Sequence, residues 1–171
     1  MVSASCMVRA IGIDPGSRFT GYGVVEGDGN RLVHIANGTI RLSSQVPFPE
    51  RLKTIYQRLI TIIDEQGPVC MAIEDVFFAK NVKSALRLGQ ARGAAILAGV
   101  NANLEVYEYS ALQIKQAVVG YGKADKEQVS QMIQNLFMLR RKLDPNAADA
   151  LAAAVCHINT RSSRMRWKIL G

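Results

Sequence analysis

The sequence predicts an α/β domain in which helices cover both faces of a five-stranded mixed sheet. Two β-rich runs, residues 20–26 and 31–42, flank a turn of glycine, aspartate and asparagine, which is typical of an antiparallel hairpin. Short apolar runs further along alternate with segments of helical periodicity, as expected when helices pack on a sheet. The chain has 171 residues, about the size of one ordinary domain. We expect the domain to span residues 7–160, after an N-terminal extension over 1–6 and before a flexible basic tail over 161–171.

The first half of the chain supplies four predicted strands and one helix. The apolar run Ile11–Ile13 ends at Asp14, because Pro15 cannot continue a central ladder. The hairpin then adds two strands antiparallel to the first. Residues 50–66 have apolar side chains at helical spacing, and Gly67-Pro68 ends that helix. The continuous apolar run 69–73 predicts a strand covered on both faces, and it ends at Glu74.

The second half supplies the fifth strand and four helices. A helix rich in small residues is predicted from about Asn81 to Val100, followed by an alternating strand over 104–109. Ser110 is a suitable N-cap for a short helix to about 119, and residues 126–139 have a further helical pattern. Asp144 and Pro145 have the residue types of an N-cap and a first helical position, so the last helix begins there.

Composition excludes several classes of protein. The three cysteines are widely spaced and form no C-x-x-C pair, which argues against disulfide and zinc frameworks. Two histidines are too few to favour a histidine-based phosphodiesterase. No apolar run approaches the roughly 18 residues of a membrane span, and no signal peptide is evident, so we expect a soluble cytoplasmic protein. The net charge of +7 suits a polyanionic partner but does not identify one.

Acidic and amide side chains occur at three places that the predicted fold brings together. Asp14 and Glu74 end two strands, and Asn146 and Asp149 share one face of the last helix because they are three residues apart. Asp14 by itself is as typical of a turn as of a ligand. Together, however, these oxygen donors match a two-magnesium phosphodiester site, in which one cation activates water and the other stabilises the leaving oxygen.

Five segments resemble the sequence blocks of the RuvC crossover junction endodeoxyribonucleases, in family order. They are Ile11–Ser17, Ile73–Phe77, Ala85–Gly93, Gln113–Gly120 and Ala147–Ala152. The resemblance implies a ribonuclease H-like fold and a homodimer. It further implies paired nicking of four-way (Holliday) DNA junctions near the crossover in recombination and repair, with two Mg²⁺ ions per active site and Mn²⁺ as a substitute. The branch-migration proteins of the resolvasome are the implied protein partners.

Carried over by position, Asp14, Glu74 and Asp149 match three acidic metal ligands of the family. The fourth position is Asn146, where the family pattern has an acid or, in some members, a histidine. An amide oxygen can ligate a cation but brings no negative charge. We therefore expect this chain to bind junctions but to cleave them weakly or not at all, as an introduced inactivating change would cause. Asp144 is not expected to compensate, since it precedes Pro145 and lies outside the helical face shared by Asn146 and Asp149.

Basic and aromatic positions support a DNA-binding role. Lys115 and Lys126 match family lysines that approach the reacting phosphate, although a solvated lysine on a helix face is the simpler interpretation. The resemblance selects Phe77 to stack on an unpaired base, whereas Phe78 is expected in the core. Phosphate contacts are expected from Lys80, Lys83, Arg87, Lys123 and Lys126. Gly89 and Gly93 allow close helix packing, either on the chain's own sheet or at a dimer seam.

Three alternatives fit part of the pattern. An actin-like or sugar-kinase-like ATPase shares the Gly-Ile-Asp-x-Gly strand and hairpin, but it needs two such domains. A ribonuclease that acts on hybrids would share the fold and metals, but it leaves Phe77 and the small-residue helix unexplained. A non-catalytic junction-binding module of the same fold is favoured by Asn146, and a cleavage assay on a synthetic junction separates it from the nuclease.

Overall fold

The computed structural model describes residues 7–75 and 81–170, with side chains described to residue 163. Five strands and five helices follow the predicted order β-β-β-α-β-α-β-α-α-α. The strands are β1 (Val8–Asp14), β2 (Phe19–Gly27), β3 (Leu32–Arg41), β4 (Cys70–Asp75) and β5 (Glu105–Ser110). The helices are α1 (Phe48–Gln66), α2 (Val82–Asn101), α3 (Ala111–Val119), α4 (Lys126–Leu136) and α5 (Pro145–Leu170).

The strands form one mixed sheet in the order β3-β2-β1-β4-β5. β1, β2 and β3 make an antiparallel meander, whereas β1, β4 and β5 run parallel to one another. The predicted five-stranded mixed sheet is therefore confirmed. Its topology puts the carboxyl ends of β1 and β4 side by side at the centre of one edge, where α/β sheets commonly hold their ligands.

Helices cover both faces of the sheet, and each face has its own apolar core. On one face α1 and α2 pack on the alternate residues Ile11, Ile13, Met71 and Ile73. On the other face α3, α4 and α5 pack on Ala10, Cys70 and Ala72. Because side chains alternate along a strand, Asp14 and Glu74 fall on the same face as Ala10 and Ala72. Both carboxylates thus point to the side that carries α5.

Glycines let the backbone of α5 lie directly on β1 and β2. A Cβ atom at Gly12 would stand 1.9 Å from the Ala150 carbonyl oxygen, and one at Gly21 would stand 2.0 Å from the Asn146 carbonyl oxygen. At Gly23 the added atom would meet Leu151 at 2.6 Å. These distances are shorter than real Cβ contacts, so only glycine fits at the three positions. The absence of side chains there allows α5 to lie close to the sheet.

Capping residues explain where α2, α3 and α4 begin. Asn81, Ser110 and Asp125 cap α2, α3 and α4 by accepting a hydrogen bond from a backbone N–H of the first turn. The α1 helix begins at Phe48, two residues before the predicted start, because Pro49 falls in its first turn, where a missing N–H is tolerated. The α4 helix ends at Leu136, three residues before the predicted end, and Met138 beyond it has a left-handed φ of 50°.

The last helix is longer than predicted. Where the basic composition indicated a flexible tail over residues 161–171, α5 continues to Leu170. No glycine or proline interrupts residues 146–170, so nothing in the local sequence ends the helix before Gly171. Among the described residues, no helix combines the length and apolarity that crossing a membrane would require.

We predict that Gly12→Ala destabilises the fold by about 3 kcal/mol or more, since the new methyl group must push the α5 backbone away from β1. Gly122→Ala is the matched control, because the atom nearest its added Cβ is the end of the exposed, rotatable Leu112 side chain. Chemical denaturation of both variants measures the difference. Equal midpoints for the two variants would show that α5 does not depend on the glycine surface.

Candidate functional site

Asp14 and Glu74 are held side by side by the parallel pairing of β1 and β4. Ile13 is paired with Ile73, and these are the residues immediately before the two carboxylates. Asp14 is the last residue of β1, as predicted, while β4 continues through Asp75, one residue past Glu74. Both side chains are half-buried. The sheet thus fixes two acidic groups at neighbouring positions on the face toward α5.

The first turns of α5 bring Asn146 and Asp149 to the same place. Gly21 is the cross-strand partner of Asp14, and the Asn146 carbonyl lies directly against Gly21. Asp149 lies one turn further along the helix, and its side chain is 15% exposed. The start of α5 and the ends of β1 and β4 thus lie at the same edge of the sheet.

Two lysines lie beside these carboxylates, in a cleft that we call the acidic cleft. The Lys126 ammonium, at the start of α4, lies 2.7 Å from Asp149 Oδ2. Lys115, on α3, lines the cleft together with Glu74, Lys126 and Asp149. The cleft therefore has acidic groups at its base and two positive charges beside them, which suits a phosphate group next to cations.

Electrostatic coupling shows how close the acidic groups are. Burial, and then the charges of Asp149 and Glu74, raise the pKa of Asp14 to about 7, against a lowering by Lys126. Burial and the charge of Asp149 likewise raise the pKa of Glu74. Burial works against the Lys126 ammonium, but the hydrogen bond and charge of Asp149 raise its pKa overall. Asp14 and Glu74 are thus harder to ionise because they are partly buried and close to other carboxylates.

These residues fit divalent cations by their chemistry. Hard carboxylate oxygens are the ligands that Mg²⁺ prefers, and mutual repulsion among carboxylates is what a bound cation relieves. As the side chains stand, no group of three acidic, histidine or cysteine residues in the described ranges converges closely enough to hold an ion, and Asp149 is turned to Lys126. Lys126 thus offsets part of the negative charge of these carboxylates, as bound cations would.

Asp144 makes contacts that the sequence analysis missed. It precedes α5, as predicted, but its Oδ1 accepts hydrogen bonds from Asn146 Nδ2 at 3.0 Å and from Thr39 Oγ1 at 2.7 Å. Arg41 pairs with its other oxygen at 3.1 Å. Partial burial opposes ionisation, but the hydrogen bonds from Thr39 and Asn146 lower the pKa of Asp144 overall. The contact with Asn146 could have been predicted from the sequence, because an N-cap side chain accepts a hydrogen bond from the second helical residue, here Asn146.

Arg92 is a second residue that the sequence analysis did not single out. From α2, its Nε donates to the Glu74 carbonyl oxygen at 3.4 Å, and its guanidinium pairs with Asp75 at 3.6 Å and with Glu108. These contacts tie the end of β4 to the helix packed behind it. Arg92 lies in a helix rich in glycine and alanine, and nothing in that local sequence indicates that it contacts β4.

The predicted DNA-binding residues that the structure describes fall in three places. Phe77 and Lys80, together with Phe78, lie outside the described residues. Lys83 and Arg87 are exposed on α2, and the Arg87 guanidinium lies 5.5 Å from the centre of the Phe48 ring. Lys123 is exposed in the loop between α3 and α4, three residues before Lys126. Of the predicted basic set, Lys115 and Lys126 line the acidic cleft.

Comparisons with known proteins agree on one family. A family model described as crossover junction endodeoxyribonuclease RuvC matches residues 10–157. A RuvC of Geobacter sulfurreducens is 58% identical over 153 residues, which cover 90% of this chain and 93% of that relative. A RuvC of Trichlorobacter lovleyi is 51% identical over 159 residues, covering 93% and 89% of the two chains.

Solved structures extend the similarity to the fold. Thermus thermophilus RuvC in complex with a Holliday junction substrate is 33% identical, with a TM-score of 0.86 over 92% of this chain and 96% of that one. The yeast mitochondrial Holliday junction resolvase has a TM-score of 0.72 over 95% of this chain and 82% of that one. At 13% identity it shows the shared fold alone.

We predict that Asp14→Asn stabilises the metal-free protein at pH 8 by about 2–4 kcal/mol. The folded-state pKa is raised from 3.8 to about 7, so the wild-type fold loses stability as pH rises from about 4 to about 7, and the amide variant does not. Thermal unfolding without added metal, at pH 4 and pH 8, measures the effect.

Mg²⁺ should reverse the order at pH 8 by stabilising the wild type and not the variant. Asp64→Asn, an exposed position on α1, is the control and should change stability by less than about 0.5 kcal/mol at either pH. Equal stability of wild type and Asp14→Asn at pH 8 would contradict the crowding of charges in this cleft.

Proposed function

This chain belongs to the RuvC family of crossover junction endodeoxyribonucleases, and from that membership we propose that it resolves Holliday junctions with the residues of the acidic cleft. The observation that carries the proposal is the convergence of Glu74, Lys115, Lys126 and Asp149 on one cleft, with Asp14 electrostatically coupled to it. Phosphodiester hydrolysis at such a cleft needs acidic groups to hold cations and basic groups to hold the phosphate.

Asp14, Glu74, Asn146 and Asp149 are the proposed ligands of two Mg²⁺ ions, with Mn²⁺ as a substitute. When bound, the cations supply Lewis-acid stabilisation of the phosphate charge and a more acidic attacking water. The β1 and β4 strands hold two of the ligands at fixed spacing, and α5 presents the other two from above the same face. The rigid elements thus place the ligands before substrate arrives.

Lys126 has two roles in this proposal. Without substrate its ammonium neutralises Asp149 at 2.7 Å. When the scissile phosphate enters, the same ammonium can move from Asp149 to a phosphate oxygen and stabilise the negative charge of the transition state. Lys115 lies across the cleft on a different helix and can contact the same phosphate from another direction.

DNA outside the cleft is proposed to contact Lys80, Lys83, Arg87 and Lys123 through its phosphates, and Phe77 is proposed to stack on an unpaired base at the junction centre. Exposure of Lys83, Arg87 and Lys123 supports the phosphate contacts. Binding should then weaken steeply with salt, since each neutralised phosphate releases counterions. The branch-migration proteins of the resolvasome remain proposed partners on the family resemblance.

A homodimer is proposed to form through α2. Its outer face carries an apolar stripe at spacings of three and four residues: Val82, Leu86, Gly89, Gly93, Leu97 and Val100. Val82 is 76% exposed and Leu86 65% exposed, and an added Cβ at Gly89 or Gly93 would meet no atom within 4 Å. The two glycines therefore do not pack on the chain's own sheet. A second copy fits this stripe, and a two-fold dimer presents two cleavage sites to a four-way junction.

We predict that Asp14→Asn abolishes magnesium-dependent cleavage of a synthetic four-way junction while leaving junction binding within about threefold. The amide removes a proposed cation ligand without removing any basic residue. Gel assays of cleavage and binding on the same junction measure both effects. Asp64→Asn, remote on α1, should cleave like the wild type.

Two outcomes would count against the nuclease proposal. Cleavage by Asp14→Asn at the wild-type rate would show that the site lies elsewhere. Junction binding by the wild type with no cleavage in Mg²⁺ or Mn²⁺ would favour the non-catalytic module, and comparison with Asn146→Asp measures the weakening expected from Asn146.

We predict that Leu86→Glu converts the dimer to a monomer, since two charges would be buried in the seam. Sedimentation velocity at a fixed protein concentration measures the oligomeric state. Ser84→Glu is the matched control, because Ser84 is exposed two residues before Leu86 and lies on the other side of the helix from the stripe. A Leu86→Glu protein that remains dimeric would place the seam on another surface.

A further inference from the structure

Asp144 is bound to the candidate metal site by a network of hydrogen bonds. Its Oδ1 accepts from the Asn146 backbone N–H at 3.0 Å, from Asn146 Nδ2 at 3.0 Å and from Thr39 Oγ1 at 2.7 Å. Its Oδ2 pairs with Arg41 at 3.1 Å. The α5 cap alone would need only the first of these contacts, so the remaining three are not explained by capping.

The network fixes which way the Asn146 carboxamide faces. A carboxamide has one ligating oxygen and one NH₂ group that cannot ligate a cation. The Nδ2 atom is held by Asp144, so Oδ1 is the carboxamide atom left to ligate a cation. Without an acceptor beside Nδ2, the amide could turn either group toward the cation.

Asp144 also contributes charge to the cleft. Its carboxylate is 28% exposed and stands next to the Asn146 carboxamide, with Oδ1 3.0 Å from Nδ2. A cation held by Asp14, Glu74 and Asp149 would therefore interact with a fourth carboxylate behind Asn146. The neutral amide and this carboxylate together have the charge of a single acidic ligand, which the pairing with the exposed Arg41 side chain offsets only in part.

We propose that Asp144 is a positioning residue of the metal site, which orients the Asn146 carboxamide toward the cation and supplies behind it the negative charge that the amide lacks. This inference rests on the proposed function of the cleft. On this account the weakening expected from Asn146 is offset in this chain by Asp144, and Thr39 and Arg41 hold Asp144 in place from β3.

The test is a charge swap measured by metal binding. The three proteins compared with the wild type are Asp144→Asn, Asn146→Asp and the double variant that carries both. Asp144→Asn should weaken Mn²⁺ binding by about tenfold or more, which is the usual effect of losing a charged group behind a metal ligand. Asn146→Asp should bind no tighter than the wild type, because two carboxylates would then meet where the present contact is 3.0 Å.

The double variant should restore Mn²⁺ affinity to within about threefold of the wild type, since it keeps the total charge and an asparagine cap. Calorimetric titration with Mn²⁺ alone gives the dissociation constants, and the Mg²⁺ concentration for half-maximal junction cleavage should shift in parallel. Asp64→Asn controls for the loss of one carboxylate and should leave Mn²⁺ affinity unchanged.

Two results would overturn the proposal. One is an unchanged Mn²⁺ dissociation constant in Asp144→Asn, which would reduce Asp144 to a helix cap. The other is a double variant that binds Mn²⁺ no better than Asp144→Asn. If Asp144→Asn does not fold, the Mn²⁺ dissociation constants of the wild type, Asn146→Asp and the double variant still test the proposal. Tighter binding by Asn146→Asp than by the wild type would contradict it. Failure of the whole nuclease proposal is distinct, since Asp14→Asn would then also leave Mn²⁺ binding unchanged.

Discussion

The backbone of α5 lies directly on the glycines of β1 and β2, and the acidic cleft depends on that contact. Stacked sheets stand about 10 Å apart because side chains fill the space between them, and side chains ordinarily separate a helix from a sheet in the same way. Here Gly12, Gly21 and Gly23 remove that layer, and the Ala150 and Asn146 carbonyls stand where Cβ atoms would be. A helix held any further out would carry Asp149 away from Asp14 and Glu74.

The same contact brings the carboxylates of Asp14, Glu74 and Asp149 together in a partly buried place. Half-buried carboxylates repel one another, and the pKa of Asp14 is raised to about 7 by burial and by its neighbours. Lys126 offsets part of this repulsion by pairing with Asp149. Half-buried carboxylates with raised pKa values in a cleft are typical of functional sites. Tight packing of α5 on both strands is what holds such a site together.

Much of this could be predicted from the sequence, because its signals are local. Asp-Pro-Gly after an apolar run ended β1 at Asp14, and the three-residue spacing of Asn146 and Asp149 put them on one helix face. The hairpin turn and the helix caps were also local patterns. The family resemblance then connected segments that are remote in the chain.

Other features could not be predicted, because they depend on contacts between distant segments. The pairing of Asp144 with Thr39 joins residues more than one hundred positions apart, and no spacing rule indicates it. The same holds for Arg92, whose bond to the Glu74 carbonyl requires α2 to lie behind β4. The continuation of α5 past residue 160 was missed because basic composition was taken to indicate a flexible tail.

We infer that Asp14, Glu74 and Asp149 form one cation site, to which α5 brings Asp149. A crystal structure of the protein soaked in Mn²⁺, with anomalous diffraction recorded at the manganese edge, tests it most directly. We predict anomalous density at coordination distance, about 2.1 Å, from oxygens of these three carboxylates, with Lys126 displaced from Asp149. If the crystals at saturating Mn²⁺ show no anomalous density in this cleft, or show it only elsewhere on the protein, the inferred cation site is wrong.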